Sequence, residues 1–295
     1  LSSVAISISL ALLASILWGA ADFLGGLATR RAAAFLVVAI AHGASLVVVL
    51  VYALLSHAAI PSGHAIKFGL AAGLIGGTGL MFFFAALANG AMGLTAAVAG
   101  VVTATVPVVF SFFTEALPGP TRLVGFGLAF GAIWLIAYSP GSAPNRRNLA
   151  IAAISGTGFG SMLVLLRLAN GGALWPLVFS RVGSAGVAIF VCLAVLARRR
   201  GMPPSSSAVV GHVPSTTNWP LLLSLAALSG ILDAGGNFSY TSSALLGRLD
   251  VAAVLSSLYP TVTILLAAWL LRERTRRSQT LGMALALGAV VLISI

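Results

Sequence analysis

Acidic side chains are almost missing from this chain: five Asp and Glu stand among 295 residues, and charged residues of all kinds make up only 7%. A soluble domain carries about a quarter charged residues, so no water-facing surface can be assembled from this composition. Cysteine is nearly absent too. The single Cys192 has no partner within the chain, which excludes a disulfide framework and leaves the compartment open. There is no Gly-rich loop ending in Lys and Ser or Thr, so ATP does not drive the protein directly. His57, His64 and His212 fall in loops without ligand-like neighbours, so neither a metal site nor any other cofactor is expected. The excess of base, 16 Lys and Arg for a net charge of +11, has no soluble module to sit on; it orients membrane loops and does not bind nucleic acid.

What is present is apolar. Hydrophobic residues make up 59% of the chain, in ten runs close to the roughly 20 residues that a membrane-spanning helix needs. Spanning segments are helices or closed barrels, because lipid cannot bond an open sheet edge, and these long non-alternating runs exclude a barrel. The expectation is an all-α polytopic membrane protein with helices at 4–28, 33–56, 66–89, 93–116, 121–139, 149–169, 173–197, 219–243, 249–271 and 279–295. Clusters at Pro61 to Gly63, Pro118 to Pro120 and Pro140 to Pro144 punctuate them, and Arg198 to Asn218 is the longest break.

The second five segments repeat the first five. Trp18 and Gly19 correspond to Phe159 and Gly160, His42 and Ser45 to Arg181 and Ser184, and Gly93 to Pro107 lies over Leu246 to Pro260. The first segment matches the sixth too well to be a cleaved signal peptide. Two repeats are expected, 1–140 and 145–295. Five is an odd number, so tandem units enter the membrane from opposite sides, the inverted repeat from which many carriers build alternating access. A duplicated chain holds both halves of a pathway and need not dimerise. Basic residues set the orientation: eleven arginines lie in the loops after helices 1, 5, 7 and 9, against Lys67, Arg122, Arg167 and Arg248 elsewhere, which places those odd-numbered loops in the cytoplasm.

Leu17-Trp18-Gly19 with Asp22-Phe23-Leu24-Gly25-Gly26, Gly247-Arg248-Leu249-Asp250, Leu258-Tyr259-Pro260 and Leu271-Arg272-Glu273-Arg274-Thr275 resemble the motifs of the ten-helix drug/metabolite transporters of the EamA type. The resemblance covers essentially the whole chain. It departs from the family after Glu115, where Ala116-Leu117-Pro118-Gly119-Pro120 replaces an Arg-rich turn. It implies a protein of the inner membrane that exports amino acids or related metabolites. It also implies a central cavity walled by helices 1, 3, 4, 6, 8 and 9, with 5 and 10 peripheral and 2 and 7 outside. The alternative within the same fold is uptake of a sugar or other metabolite.

Two carboxylates fall deep inside helices, Asp22 and Asp233. Intramembrane charge is costly, about 2.5–3.5 kcal/mol on insertion scales, and by default marks a functional site. Asp233 shares a stripe with Asn237, Tyr240 and Thr241, and Asp22 shares one with Ser15 and Trp18. With Phe84, Phe159 and Tyr259 these form the expected substrate site: Trp18, Asp22, Phe84, Phe159, Asp233, Asn237, Tyr240 and Tyr259. Either carboxylate could carry a coupling proton, and exchange without protons fits the sequence equally well. The bland alternative is a buried pair, Asp233 with Arg181 or Asp22 with His42. His42 and Arg181 are expected to have structural, snorkelling or coupling roles. Pro107 and Pro260, late in helices 4 and 9, are hinge candidates. A serine at 155, 256 or 257 beside His42 is the remote enzyme alternative.

Overall fold

In the computed structural model the described residues are 2–59, 61–89, 92–137, 146–170, 172–199, 218–270 and 276–294. The Pro140 to Pro144 cluster, most of the Arg198 to Asn218 break, His212 and the Leu271 to Thr275 motif lie outside them. The secondary structure of the described residues is α-helical: α1 Ser3–Thr29, α2 Ala34–Leu55, α3 Gly63–Asn89, α4 Met92–Thr114, α5 Pro120–Ala137, α6 Arg146–Leu168, α7 Leu174–Arg199, α8 Trp219–Leu246, α9 Leu249–Ser256, α10 Tyr259–Leu270 and α11 Arg277–Ser294.

Local chemistry sets the ends. Ser2 caps α1 by accepting from the amide of Ala5 at 3.3 Å, and Asn218 caps α8 through Leu221 at 3.1 Å, with Pro220 in the first turn where no amide is needed. The expected ninth helix, 249–271, is in fact two. Ser257 and Leu258 interrupt it and Pro260 is the second residue of α10, so this proline starts a helix where a bend inside one was expected. Pro107, by contrast, lies inside a continuous α4.

Counting Leu249–Leu270 as one span, seven of the described helices are long and apolar enough to cross a membrane, with shorter apolar helices at Val98–Thr114, Pro120–Leu135 and Arg277–Ile293. Large apolar side chains face outward, among them Phe113, Leu55, Trp269 and Leu287. Buried hydroxyls, His42, Arg181 and Asp250 face inward. That distribution suits lipid as the surrounding solvent.

The helices of the first half pack chiefly on those of the second: α1 on α8, α3 on α6 and α7, α2 on α7 and α8, α4 on α6, and α5 on α11. Small residues permit the closest of these approaches. Gly69, Gly73 and Gly77 form a four-residue stripe on α3, and a Cβ at each would run into Pro176, Ser180 and Ser184 of α7. All eight residues of α9 are buried, whereas in α10 only Tyr259 and Pro260 are. The break therefore divides a segment threading the protein interior from one that faces outward.

Candidate functional site

Asp233 sits at the middle of α8, where any charged partner must come from another helix. Arg181 on α7 places Nη1 2.7 Å from its Oδ2, and His42 on α2 places Nε2 3.6 Å from the same oxygen, beyond hydrogen-bond length. One turn along α8, Asn237 donates Nδ2 to the Asp233 carbonyl at 2.9 Å and to Oδ2 at 3.2 Å. The Arg181 and His42 side chains are 2% and 4% exposed and that of Asp233 25%, so the carboxylate stands between two buried bases and open space. A guanidinium this deep would be severely destabilising without its counter-ion. Arg181 Nε and Nη2 and both His42 nitrogens nevertheless have no hydrogen-bond partner among the described residues.

That open space is a cleft of about 570 Å³, part of it open to the surroundings. α1 contributes Trp18 and Asp22, α6 contributes Phe159, and the start of α10 contributes Tyr259. The glycine string of α3, with Leu80, forms a smooth wall, and Thr103 of α4 lines the space as well. Gly19, beside Trp18, lets α1 meet α10, since a Cβ there would strike Val262 and the Tyr259 carbonyl. The repeat-equivalent Gly160, beside Phe159, does the same against Val106 and the Thr103 carbonyl of α4. Trp18 and Tyr259 meet edge to face with ring centroids 6.4 Å apart. Small volume, apolar walls and a few convergent charges are the usual make-up of a small-molecule site.

Of the expected substrate residues, Trp18, Asp22, Phe159, Asp233 and Tyr259 line this cavity and Phe84, Asn237 and Tyr240 do not. Phe84 is buried and packs beside Gly25 and Phe83, whose ring meets Phe159 at 5.7 Å. Tyr240 is fully buried behind Trp18, 5.8 Å away. Asn237 acts on Asp233 and does not face the space itself.

Three expectations need correction. Helices 2 and 7 are not outside the cavity, because His42, Ser180, Arg181 and Ser184 line it. Arg181 does not snorkel; it is buried and reaches Asp233 instead. His42 turns to Asp233 and not to Asp22, which has no hydrogen-bond or ion-pair partner among the described residues. Ser155 and Ser256 donate to carbonyls of their own helices, at 2.8 Å and 3.2 Å, and neither is bonded to His42.

Sequence reasoning did not place Thr103, Met162, Leu163, Ser180 or Ser184 in the site, although Ser184 was read as the repeat partner of Ser45. Ser180 and Ser184 carried a readable signal, since they lie beside Arg181 and one turn apart. Met162 and Leu163 carried none, being apolar residues in an apolar helix.

A second charged group lies at the α8–α9 corner. Arg248 donates Nε and Nη2 to the two oxygens of Asp250, at 3.0 Å and 2.7 Å, and Asp250 Oδ1 also accepts from Val251 N at 2.7 Å. Glu115, just past α4, accepts from Leu249 N at 3.1 Å and lies 3.8 Å from Arg248. The hydrogen bonds to Asp250 hold the Arg248 guanidinium above its usual pKa. The group joins the end of α4 to the start of α9, and none of Glu115, Arg248 and Asp250 lines the cavity.

Comparison with known proteins agrees with the fold. A family model described as EamA-like transporter family matches residues 147–295. No curated protein matches. Chains of solved structures match as well; one crystal structure, of a protein given no further description, is 16% identical with a TM-score of 0.74 and 98% of each chain covered. At that identity the likeness extends to the fold alone.

Proposed function

Starting from a chain that belongs to the EamA-like transporter family, and is thus a membrane transporter of the drug/metabolite type, we propose that it exports small organic solutes, amino acids or related metabolites, as a secondary carrier. The observation that supports this most is the cavity at mid-helix, where two carboxylates and one guanidinium converge on aromatic walls. Lipid-facing surface explains none of these groups, whereas a solute that must be bound and released does.

The mechanism proposed is alternating access between two inverted five-helix repeats, 1–140 and 145–295. Cavity residues come from both: Trp18, Asp22, His42 and Thr103 from the first, Phe159, Arg181, Asp233 and Tyr259 from the second. A solute bridging these groups would feel both repeats rock. The α9–α10 break at Ser257 and Leu258 is the hinge this motion would use, since Pro260 has no amide with which to bond back across it. Coupling to protons would fall to Asp22, the cavity carboxylate with no base beside it. The inner membrane, with odd-numbered loops in the cytoplasm, is the setting proposed.

The experiment is reconstitution into liposomes loaded with labelled amino acids and central metabolites, with and without a pH gradient. Efflux of one chemical class, absent from protein-free vesicles, is the expected result. Folded protein that moves nothing from the pool would overturn the reading.

A further inference from the structure

We infer that the cavity selects small organic cations, a protonated amine on an apolar or aromatic body, over zwitterionic or anionic forms of the same skeleton. The inference rests on the carrier reading above and, among the solutes it names, sets amines related to amino acids ahead of the zwitterionic amino acids themselves.

The argument is one of charge and of which groups are already engaged. The charged groups lining the cavity are Asp22, Asp233 and Arg181, with His42 the remaining titratable base. With His42 neutral and Asp22 ionised, two carboxylates face one cation, and the site carries an excess negative charge. Arg181 is committed to Asp233 at 2.7 Å, and its remaining nitrogens are buried, with no surface to offer a solute. A substrate carboxylate therefore has no free guanidinium to dock on.

Asp22 is in the opposite position. It lines the cavity, and among the described residues no donor or base is bonded to it. A carboxylate inside a membrane protein needs a partner, and a substrate ammonium group would supply it. The surrounding rings favour the same charge. Trp18 lies one turn before Asp22 on the same face of α1, and Trp18 and Tyr259, in edge-to-face contact, line the same cavity as the carboxylate. Cations are attracted to such surfaces and anions are not. Phe159, Leu80 and the α3 glycines give the remaining space an apolar lining that suits the body of the molecule. A carboxylate entering here would meet like charge from Asp22 without compensation, a juxtaposition that strongly disfavours the wrong partner.

The test uses three indoles that share one ring and differ in charge: N,N,N-trimethyltryptammonium as a fixed cation, tryptophan as the zwitterion and indole-3-acetate as the anion. Counterflow of each into protein-containing liposomes is measured beside protein-free vesicles. The expected result is uptake of the cation at least ~10-fold above tryptophan, with indole-3-acetate slowest. Asp22→Asn should collapse that preference and Asp22→Glu should keep it, with folding checked by thermal melting. Faster movement of tryptophan or indole-3-acetate than of the cation would overturn the charge inference and leave the carrier reading standing. A folded Asp22→Asn protein with the preference unchanged would overturn it as well. If Asp22→Asn does not fold, the ranking of the three indoles by the native protein decides alone. No counterflow of any indole, together with no efflux from the mixed metabolite pool, would sink both readings.

Discussion

Asp250 and Asp233 each hold a guanidinium nitrogen at 2.7 Å, yet the two pairs are built the opposite way round. At the α8–α9 corner the carboxylate is the fully buried member, and Arg248, 24% exposed, keeps contact with its surroundings. Both Asp250 oxygens are satisfied, by two guanidinium donors and the Val251 amide. In the cavity the guanidinium is the buried member and the carboxylate is exposed to the space where a solute would sit. Here donors are left over: Arg181 Nε and Nη2 and both His42 nitrogens. Buried polar groups are normally all paired. A group that closes on itself needs nothing further and reads as a fastening between α4 and α9; one whose carboxylate stays open to a cavity is arranged around something that comes and goes.

The sharpest way to break this comparison is Asp233→Asn. It removes the counter-ion of a guanidinium with no other ion-pair partner among the described residues, a class of change that costs about 3–5 kcal/mol. We expect a large drop in thermal stability and loss of transport together. The double variant Arg181→Met with Asp233→Asn separates the two, since removing both charges restores most of the stability. Transport should stay lost in the double variant. Recovered efflux would reduce the pair to a packing element.

Asp250→Asn tests the other side. Arg248 can turn its charge toward its surroundings, so the expected cost is smaller, about 1–3 kcal/mol for the unsatisfied buried groups. Turnover per folded molecule should stay near that of the native protein. Efflux normalised to the folded fraction measures it, and a selective loss of turnover would show that the corner takes part in the transport cycle.

The difference between the two clusters was only partly legible in the sequence. Helices could be read because composition leaves few alternatives and Pro and Gly mark the gaps; the α9–α10 break was missed because Tyr259-Pro260 reads equally as a kink late in a long helix or as the first turn of a new one. On one helix, periodicity correctly put Asp233 and Asn237 on a shared face, and the structure adds a hydrogen bond between them. Which helix stands opposite is a tertiary fact. Hence the pairing of Asp233 with Arg181 was one of two options, and the approach of His42 to Asp233 was not foreseen. Phe83 and Phe84 show the same limit, for only packing against Gly25 and Phe159 decides where each ring goes.

Gly230→Ala sharpens the comparison through backbone spacing. A Cβ at Gly230 on α8 would strike the Ala41 carbonyl of α2, the residue before His42, so the two helices must part. Overpacking of this kind costs about 1–3 kcal/mol. The displacement also carries His42 away from Asp233 while leaving the Arg248 group alone, so transport should fall further than stability alone accounts for. Equal losses in the two would show that the position of His42 does not matter.

The smallest effects distinguish the regions most finely. α1 and α8 are joined by serine hydroxyls at two levels: Ser7 donates to the Ser243 carbonyl at 2.9 Å near the corner, and Ser229 donates to the Ala21 carbonyl at 2.7 Å, beside Asp22. Each hydrogen bond is worth about 1 kcal/mol net, so Ser7→Ala and Ser229→Ala should lower stability by similar, modest amounts. Their effects on transport should differ. Ser243 still donates to the Ser7 carbonyl at 2.7 Å, so Ser7→Ala leaves the corner joined and turnover unchanged. Ser229→Ala frees the turn of α1 that carries Asp22, so its affinity for the cationic indole should weaken while the ranking of the three indoles is kept. Measured in the same counterflow assay, identical behaviour of the two variants would mean that α1 moves as a rigid rod and that the hold on Asp22 is not local.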